Sequence, residues 1–371
     1  MKFKKFKTWV EISSQNIFWN IKVIRSLLNK KTKLFAVVKS NAYGHDLELF
    51  SKLIETKVDG YCVDSVPEAE KLRAAGIKKF ILVLGPTLPH LFEVALKLDI
   101  TISLSNSDAL KEYLKNKAQP NFHLKIDTGM HRQGFYNADL KKILTLIKPI
   151  SKKLTGVFSH FASAKDFNYP TTTDLQYNNF QSAKKTITQN FPNQKIDFHI
   201  AASSGTMISS KYHEDAVRVG AALYGVWPSK EIKTQWSKEK LEPALAWYSI
   251  ISEVKSIKKG DYVSYDLTEK IKTDGQIGII PIGYWHGFDR KLSSIGEILV
   301  NGKRAKVLGR VTMDMIVIDL SQIKANYGDK ATIIGKNQKE EIELEEMANK
   351  ISTSPYEVVT RLNPLMHREI I

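Results

Sequence analysis

Along the first two thirds of the chain, short apolar runs alternate with stretches whose apolar residues recur at helical spacing. Eight runs read as strands: residues 34–39, 60–64, 80–85, 100–104, 121–127, 154–160, 196–201 and 216–220. The stretch 66–75 reads as a helix, with Pro67 in its first turn and Gly76 at its stop. Residues 91–98 and 139–147 carry the same periodicity. Eight strand–helix units predict an α/β fold, a parallel sheet closed into a TIM-like (β/α)8 barrel. An open doubly wound sheet is the alternative, but no G-x-G-x-x-G follows the first strand.

The pattern changes after about Pro228. Residues 230–242 are polar and charged and read as a linker. From Ala244 onward short strand-like runs dominate, at 244–255, 262–265, 276–282, 297–300, 303–311, 315–319 and 330–334. Asn301-Gly302 between two such runs is a hairpin signal. Helices are expected at 344–351 and near 356–362. The chain therefore divides into a barrel domain, 1–236, and an antiparallel β-rich domain, 237–371.

Composition adds bounds. The 371 residues are 43% hydrophobic and 25% charged, as in globular proteins. No apolar run reaches the length of a membrane span, and no apolar segment of signal-peptide type follows the basic residues 1–7. Cys62 is the single cysteine, so no intramolecular disulfide or cysteine metal site is expected, which suits a cytoplasmic enzyme. The net charge of +16 raises a nucleic-acid partner. The lysines are scattered in pairs such as Lys141-Lys142 and Lys184-Lys185, however, and read as a solvated surface that draws in small anions. Neither a nucleic-acid nor a membrane partner is expected.

The first strand runs into Lys39-Ser40-Asn41-Ala42-Tyr43-Gly44-His45. A lysine amine facing a cavity there loses solvation as a cation and gains the nucleophilicity that a Schiff base requires. The alternative is a snorkelling lysine at a strand end. In a barrel, the carboxyl ends of the strands hold the active site. The residues expected there are Lys39, Asp64, Lys125, Asp127, residues 128–132, His160, His199, Ser203, Arg218 and Gly220. So many functional groups at one face favour the chemical reading of Lys39. Ala202-Ser203-Ser204-Gly205 and Val219-Gly220-Ala221 follow strands seven and eight, where barrels recurrently cradle phosphate. Ordinary turn chemistry is the alternative. A Schiff-base lysine beside a phosphate cradle points to pyridoxal 5'-phosphate.

Over nearly its whole length the chain resembles the alanine racemases. The matching motifs are VKSNAYGHD, LKIDTGMHRQGF, GVFSHFASA, FHIAASSG and VRVGAALYG in the barrel, then VSYD, PIGYWHGF, GRVTMDM and PYEVVTRL. The resemblance implies that Lys39 holds the cofactor and serves as one base, with Tyr265 of the partner subunit as the other. It implies that Tyr43, Ser203, Gly220 and Tyr356 bind the phosphate, and that His160 lies against the pyridine ring. Arg132 would hold the substrate carboxylate and orient Tyr265. Met313, with Asp314 beside it, would meet that carboxylate from the other subunit, and Tyr284 would lie in the entryway. Arg218, held by His199, would face the pyridine nitrogen and leave it unprotonated, because a guanidinium does not give up its proton easily. Lys125 stands where many members carry a carbamylated lysine.

Several positions depart from the family pattern: Ala202 for asparagine, Asp266 and His131 for glycine, Trp285-His286 for a smaller, acidic pair, and a loosely matching C-terminus. The implied function is a homodimeric isomerase that interconverts L- and D-alanine and supplies D-alanine for peptidoglycan. Alternatives are a racemase of other amino acids and a decarboxylase on the same fold, which would carry a carboxylate in place of Arg218. A cofactor-carrying barrel without turnover would lack the β domain and Tyr265.

Overall fold

A computed structural model describes residues 6–164, 170–236 and 238–371. Five residues of the basic N-terminal stretch, and Ser237 at the expected domain boundary, lie outside the described residues. The chain forms two compact units. One comprises Asn16–Ala42 and Leu47–Glu242. The other gathers residues 6–15, Tyr43–Asp46 and Pro243–Ile371.

The first strand of the chain, β1 (Thr8–Ile12), belongs to the second unit. The first unit is built on β2 (Lys33–Val37), β3 (Gly60–Val63), β4 (Phe80–Val83), β5 (Ile102–Leu104), β6 (Phe122–Lys125), β7 (Leu154–Phe158), β8 (Asp197–His199) and β9 (Ala216–Val219). Most of these residues are buried, as parallel strands covered on both faces require. The strands pair in parallel as β4-β3-β2-β9 and β5-β6-β7-β8. Two seams close the ring. The Val83 and Thr101 amides donate to the Thr101 and Ile81 carbonyls at 2.9 and 3.0 Å. The Asp215 and Arg218 amides donate to the Phe198 and Ala201 carbonyls, both at 3.0 Å. The expected (β/α)8 barrel is therefore the observed one. Most of its strands stop short of their apolar runs, because the last residues of those runs already turn into the loop above, whereas β5 loses the first residues of its run.

The second unit is dominated by a sheet ordered β11-β14-β17-β16-β15-β18-β10-β1-β20. Its strands are β10 (Leu245–Ile250), β11 (Glu253–Ile257), β14 (Gly275–Ile280), β15 (Glu297–Val300), β16 (Lys303–Leu308), β17 (Ile316–Asp319), β18 (Lys330–Asn337) and β20 (His367–Ile370). A small ribbon, β12 (Tyr262–Val263) with β13 (Glu269–Lys270), stands apart, and β19 (Glu340–Ile342) pairs with β18. Pairing is antiparallel except between β1 and β20. The fully buried Trp247 indole donates to Thr8 Oγ1 at 2.9 Å, tying β1 to β10.

The expected linker 230–242 is a short helix at its start, Lys230–Gln235. Ser229 caps it by accepting from the Ile232 amide at 3.2 Å, and Ile232 is buried. The capping serine and the buried Ile232 together give this polar segment a helical start. Among the described residues, no helix is long and apolar enough to cross a membrane.

Candidate active site

Lys39 does not end a strand. β2 stops at Val37, and Lys39 opens a turn in which Ser40, Asn41, Ala42 and Tyr43 all have left-handed backbone, φ 56, 56, 50 and 52°. Each such residue costs about 1–2 kcal/mol, so the neighbourhood must hold the turn in place. The Glu68 carboxylate accepts from the Ser40 amide and from the Asp64 amide, both at 2.7 Å. Asn41 Oδ1 accepts from the Leu47 amide at 3.0 Å. The Lys39 side chain is 38% exposed, and its Nζ lies 3.6 Å from Asp64 Oδ1. The amine therefore stands at the barrel mouth in contact with a carboxylate, rather than buried as expected. Cys62, fully buried on β3, is pushed up to about 12 by burial, against the opposing pull of Arg218 and Lys39. It is an inert thiol.

The loop after β6 is shaped by Asp127, whose Oδ1 accepts from the amides of Gly129, Met130 and His131 at 2.9, 3.0 and 3.1 Å. Burial alone would raise this carboxyl, but the three amides hold it below its ordinary range. His131 has φ 54°, which explains why glycine is common there. Arg132 is exposed beside it. The loop folds back so that the Phe135 and Asp127 amides donate to the Lys125 and Phe135 carbonyls, both at 2.9 Å. Gly134, at φ 134°, lies so close that a Cβ would come within 2.4 Å of the Asp127 nitrogen. We predict that Gly134→Ala lowers stability by about 1–3 kcal/mol and displaces Arg132, raising KM more than it lowers kcat. An unchanged melting temperature and KM would contradict this. Lys125 is buried, and burial, then Arg218, Arg132 and Lys39, draw its amine down to about 7.

Arg218 lies at the centre of the polar cluster and is 3% exposed. Its Nη1 donates to His199 Nδ1 at 2.5 Å, and its Nη2 donates to the Ser159 carbonyl at 2.6 Å and to His160 Nδ1 at 3.3 Å. Burial draws the guanidinium down to about 10, so it stays cationic at neutral pH. Phe158, absent from the sequence expectations, is the shared platform. Lys125 Nζ and Arg218 Cζ lie 4.8 and 5.1 Å from its ring centre, and His199 stacks on it at 5.2 Å. Burial and the surrounding cations hold His160 down at about 3 and His199 well below the usual imidazole range.

These histidines set a pH dependence. Their folded values lie below the unfolded value of about 6.5, so between the two the unfolded chain binds more protons. Stability therefore rises with pH through that window and is lost as pH falls from about 6.5 towards 3, by up to about 1.4 kcal/mol per pH unit per histidine. Urea midpoints should fall between about pH 7 and pH 5, above the range where most carboxylates titrate, and His160→Gln should flatten the dependence. Equal midpoints would contradict it.

Ser203 and Gly220 are brought together after β8 and β9. Ser203 Oγ accepts from the amides of Gly220 and Ala222 at 3.1 and 3.4 Å. In the second unit, the rings of Tyr43 and Tyr356 meet edge to face at 6.2 Å. Gly44, at φ 81°, packs so tightly on Val359 that a Cβ would come within 2.0 Å of its carbonyl oxygen. Buried Arg368 donates to the Gly44 carbonyl at 2.7 Å and to the carbonyls of Asn363 and Met366 at 3.1 and 2.9 Å. The loosely matching C-terminus thus holds the phenol-bearing loop.

Tyr265 is 68% exposed and opens a turn in which Ser264, Asp266 and Leu267 have φ 68, 62 and 52°. Left-handed backbone at Asp266 accounts for the usual glycine, and aspartate tolerates it better than most residues. Tyr284 and Met313 are brought together, because the Tyr284 and Trp285 amides donate to the Thr312 and Met313 carbonyls, both at 3.1 Å. Asp314 lies in the same turn, half-buried. Trp285 is exposed, whereas His286 is buried, and its Nδ1 accepts from the Gly283 amide at 3.2 Å.

The barrel mouth offers a primary amine, a serine hydroxyl with loop amides beside it, and a cationic guanidinium that only donates. These groups match an aldehyde, a phosphate and a pyridine nitrogen in turn, so the donor set fits pyridoxal phosphate. The fold and these groups define a barrel enzyme of pyridoxal-phosphate type. Family models named "Alanine racemase, N-terminal domain" and "Alanine racemase, C-terminal domain" match residues 12–228 and 244–370. An alanine racemase of Leptospira interrogans is 33% identical, over 99% of this chain and 96% of its own. The crystal structure of alanine racemase from Bacillus anthracis with bound L-Ala-P superposes with a TM-score of 0.93 at 34% identity, covering 99% and 96% of the two chains. A histidine racemase from Leuconostoc mesenteroides superposes with 0.88 at 27% identity, over 99% and 98%. The chain belongs to the alanine racemase family. It is an isomerase dependent on pyridoxal phosphate.

Proposed function

We propose that this protein interconverts L-alanine and D-alanine as a cytoplasmic homodimer, supplying D-alanine for peptidoglycan. The observation that carries the reading is Lys39 and the donor-only Arg218 at one barrel mouth, in a chain matched by both family models. Lys39, Tyr43, His160, Ser203, Arg218, Gly220 and Tyr356 would hold the cofactor. Bound pyridoxal phosphate acidifies the α-hydrogen of an attached amino acid. Lys39 Nζ then takes or returns a proton on one face of the α-carbon, and the phenol of Tyr265 of the partner subunit serves the other. Arg132, with the partner subunit's Met313, orients the carboxylate. Arg218 keeps its own proton and so withholds one from the ring nitrogen, which weakens the cofactor as an electron sink and suppresses competing reactions. His199 holds Arg218, and Tyr284 and Asp314 shape the entry.

The β-rich domain, 237–371, would contribute to the partner's site. Exposure of Tyr265, Leu267, Met313 and Met315 supports a partner surface there. Lys125 would be carbamylated: its amine, drawn down to about 7, is partly neutral near physiological pH. It can then add to carbon dioxide with loss of one proton, giving an anion that pairs with Arg132. We predict that carbon-13 bicarbonate yields a carbamate resonance that Lys125→Gln abolishes. A spectrum without that signal would contradict the modification.

A second reading, a racemase of larger amino acids, is favoured by the likeness to the histidine racemase. Chiral chromatography after incubation with a panel of L-amino acids decides between the two. Selective appearance of D-alanine supports the first, a different preferred D-amino acid supports the second, and retained chirality across the panel overturns both.

A further inference from the structure

Beneath Arg218 the barrel carries a second imidazole. His123, on β6, is 1% exposed, and its Nδ1 lies 2.9 Å from His199 Nε2. Its ring stacks on Phe80 at 5.6 Å. On another side it presses on β7 at Gly156, where a Cβ would fall 2.4 Å from His123 Cε1. The sequence thus leaves out a side chain at Gly156, and the ring occupies that space.

The three groups form one hydrogen-bond chain, and its direction is fixed from the top. A guanidinium only donates, so His199 Nδ1 must accept from Arg218. The single proton of neutral His199 then sits on Nε2 and points at His123 Nδ1, which must accept in turn. The reverse arrangement would set two N–H groups against each other at the Arg218 end. Arg218 thus selects one tautomer of His199, and the buried Nε2 proton this leaves needs an acceptor.

We propose that His123 is a positioning residue for the reaction: it accepts the Nε2 proton that His199 must carry when its Nδ1 accepts from Arg218, and so holds the His199 ring against the guanidinium. This rests on the reading of Arg218 as the group that faces the cofactor. His123 works at two removes, as outer partners do when they orient a metal-bound histidine, where their loss costs roughly ten- to a hundredfold.

The test pairs two variants of the full-length protein. His123→Phe keeps an aromatic ring but removes the acceptor, and His123→Asn returns a carbonyl oxygen near the Nδ1 position. Nitrogen-15 histidine spectra of the cofactor-free protein read the His199 tautomer directly. The expected result is Nε2 protonation of His199 in all three proteins, with the Nε2 proton resonance shifted and its exchange faster in His123→Phe, where it has lost its acceptor, and restored in His123→Asn. With cofactor, His123→Phe should lose roughly tenfold or more in kcat with little change in KM, and His123→Asn should recover most of it. A His199 Nε2 proton with unchanged shift and exchange rate in His123→Phe overturns the proposal. So does a wild-type His199 protonated on Nδ1, which decides the matter even if His123→Phe does not fold. The tautomer is read without turnover, so wild-type protein that shows the expected spectrum but racemises no amino acid would overturn the enzymatic reading and not the proton arrangement.

Discussion

Lys39→Ala is expected to abolish racemisation in both directions, by on the order of 10⁴-fold or more, while leaving the barrel folded. The loss is large because one side chain has two tasks, covalent attachment of the cofactor and proton transfer at the α-carbon. The fold should tolerate it. The Lys39 side chain is 38% exposed, and its ionic contact is a 3.6 Å pair with an exposed aspartate, which contributes little to stability. The turn itself is held by Glu68 and Asn41 through backbone amides that the substitution leaves in place. Borohydride reduction followed by peptide mapping should place a pyridoxyl group on Lys39 in the wild type and nowhere in the variant. A label on Lys125, or activity within a hundredfold of wild type, would reassign the anchoring amine. Glu68→Ala offers the converse case. It removes the acceptor for Ser40 and Asp64, so amide exchange at both positions should accelerate while the label stays on Lys39.

The barrel was legible because each strand is a short, almost wholly apolar run between helical patterns, and that alternation leaves few topologies. The β-rich domain was legible as a texture, but the pairing of its first and last strands was not. β1 and β20 are separated by nearly the whole chain, and no local pattern shows that Thr8–Ile12 pairs with His367–Ile370. Site residues at strand ends were found because barrel mouths concentrate function, and the family motifs then named their roles. What escaped was support. His123 sits at an alternating position inside β6 and reads as core. Phe158 reads as an ordinary buried aromatic. Glu68 alone carried a usable signal, the Ser65-Val66-Pro67-Glu68 spacing of a capping box, although its carboxylate reaches the Asp64 amide, one residue before the Ser65 cap, rather than the cap's own amide. In this chain that carboxylate reaches a second amide as well, at Ser40, which no one-dimensional motif encodes. The departures at His131 and Asp266 became intelligible only with backbone angles, since both occupy left-handed positions that glycine would fill without strain.

Tyr265→Phe is the counterpart of the lysine variant. It should keep the pyridoxyl label on Lys39 and lose roughly 10²- to 10⁴-fold in turnover, the range of a positioned general acid–base group. The loss should be greatest for conversion starting from L-alanine. Stability should hardly change, because the ring is 68% exposed in the single chain and the substitution removes one oxygen. The two variants together test whether the site is shared. In a mixture of Lys39→Ala and Tyr265→Phe subunits, about half of randomly formed dimers are mixed. If each site takes its lysine from one subunit and its tyrosine from the other, a mixed dimer has one site with both groups intact and one with neither. Activity should then recover to about a quarter of the wild-type level, from two preparations that are each nearly inactive. If both groups came from the same subunit, every site in the mixture would lack one of them and no activity would return. Refolding the two variants together and measuring D-alanine formation separates the outcomes without any structural measurement.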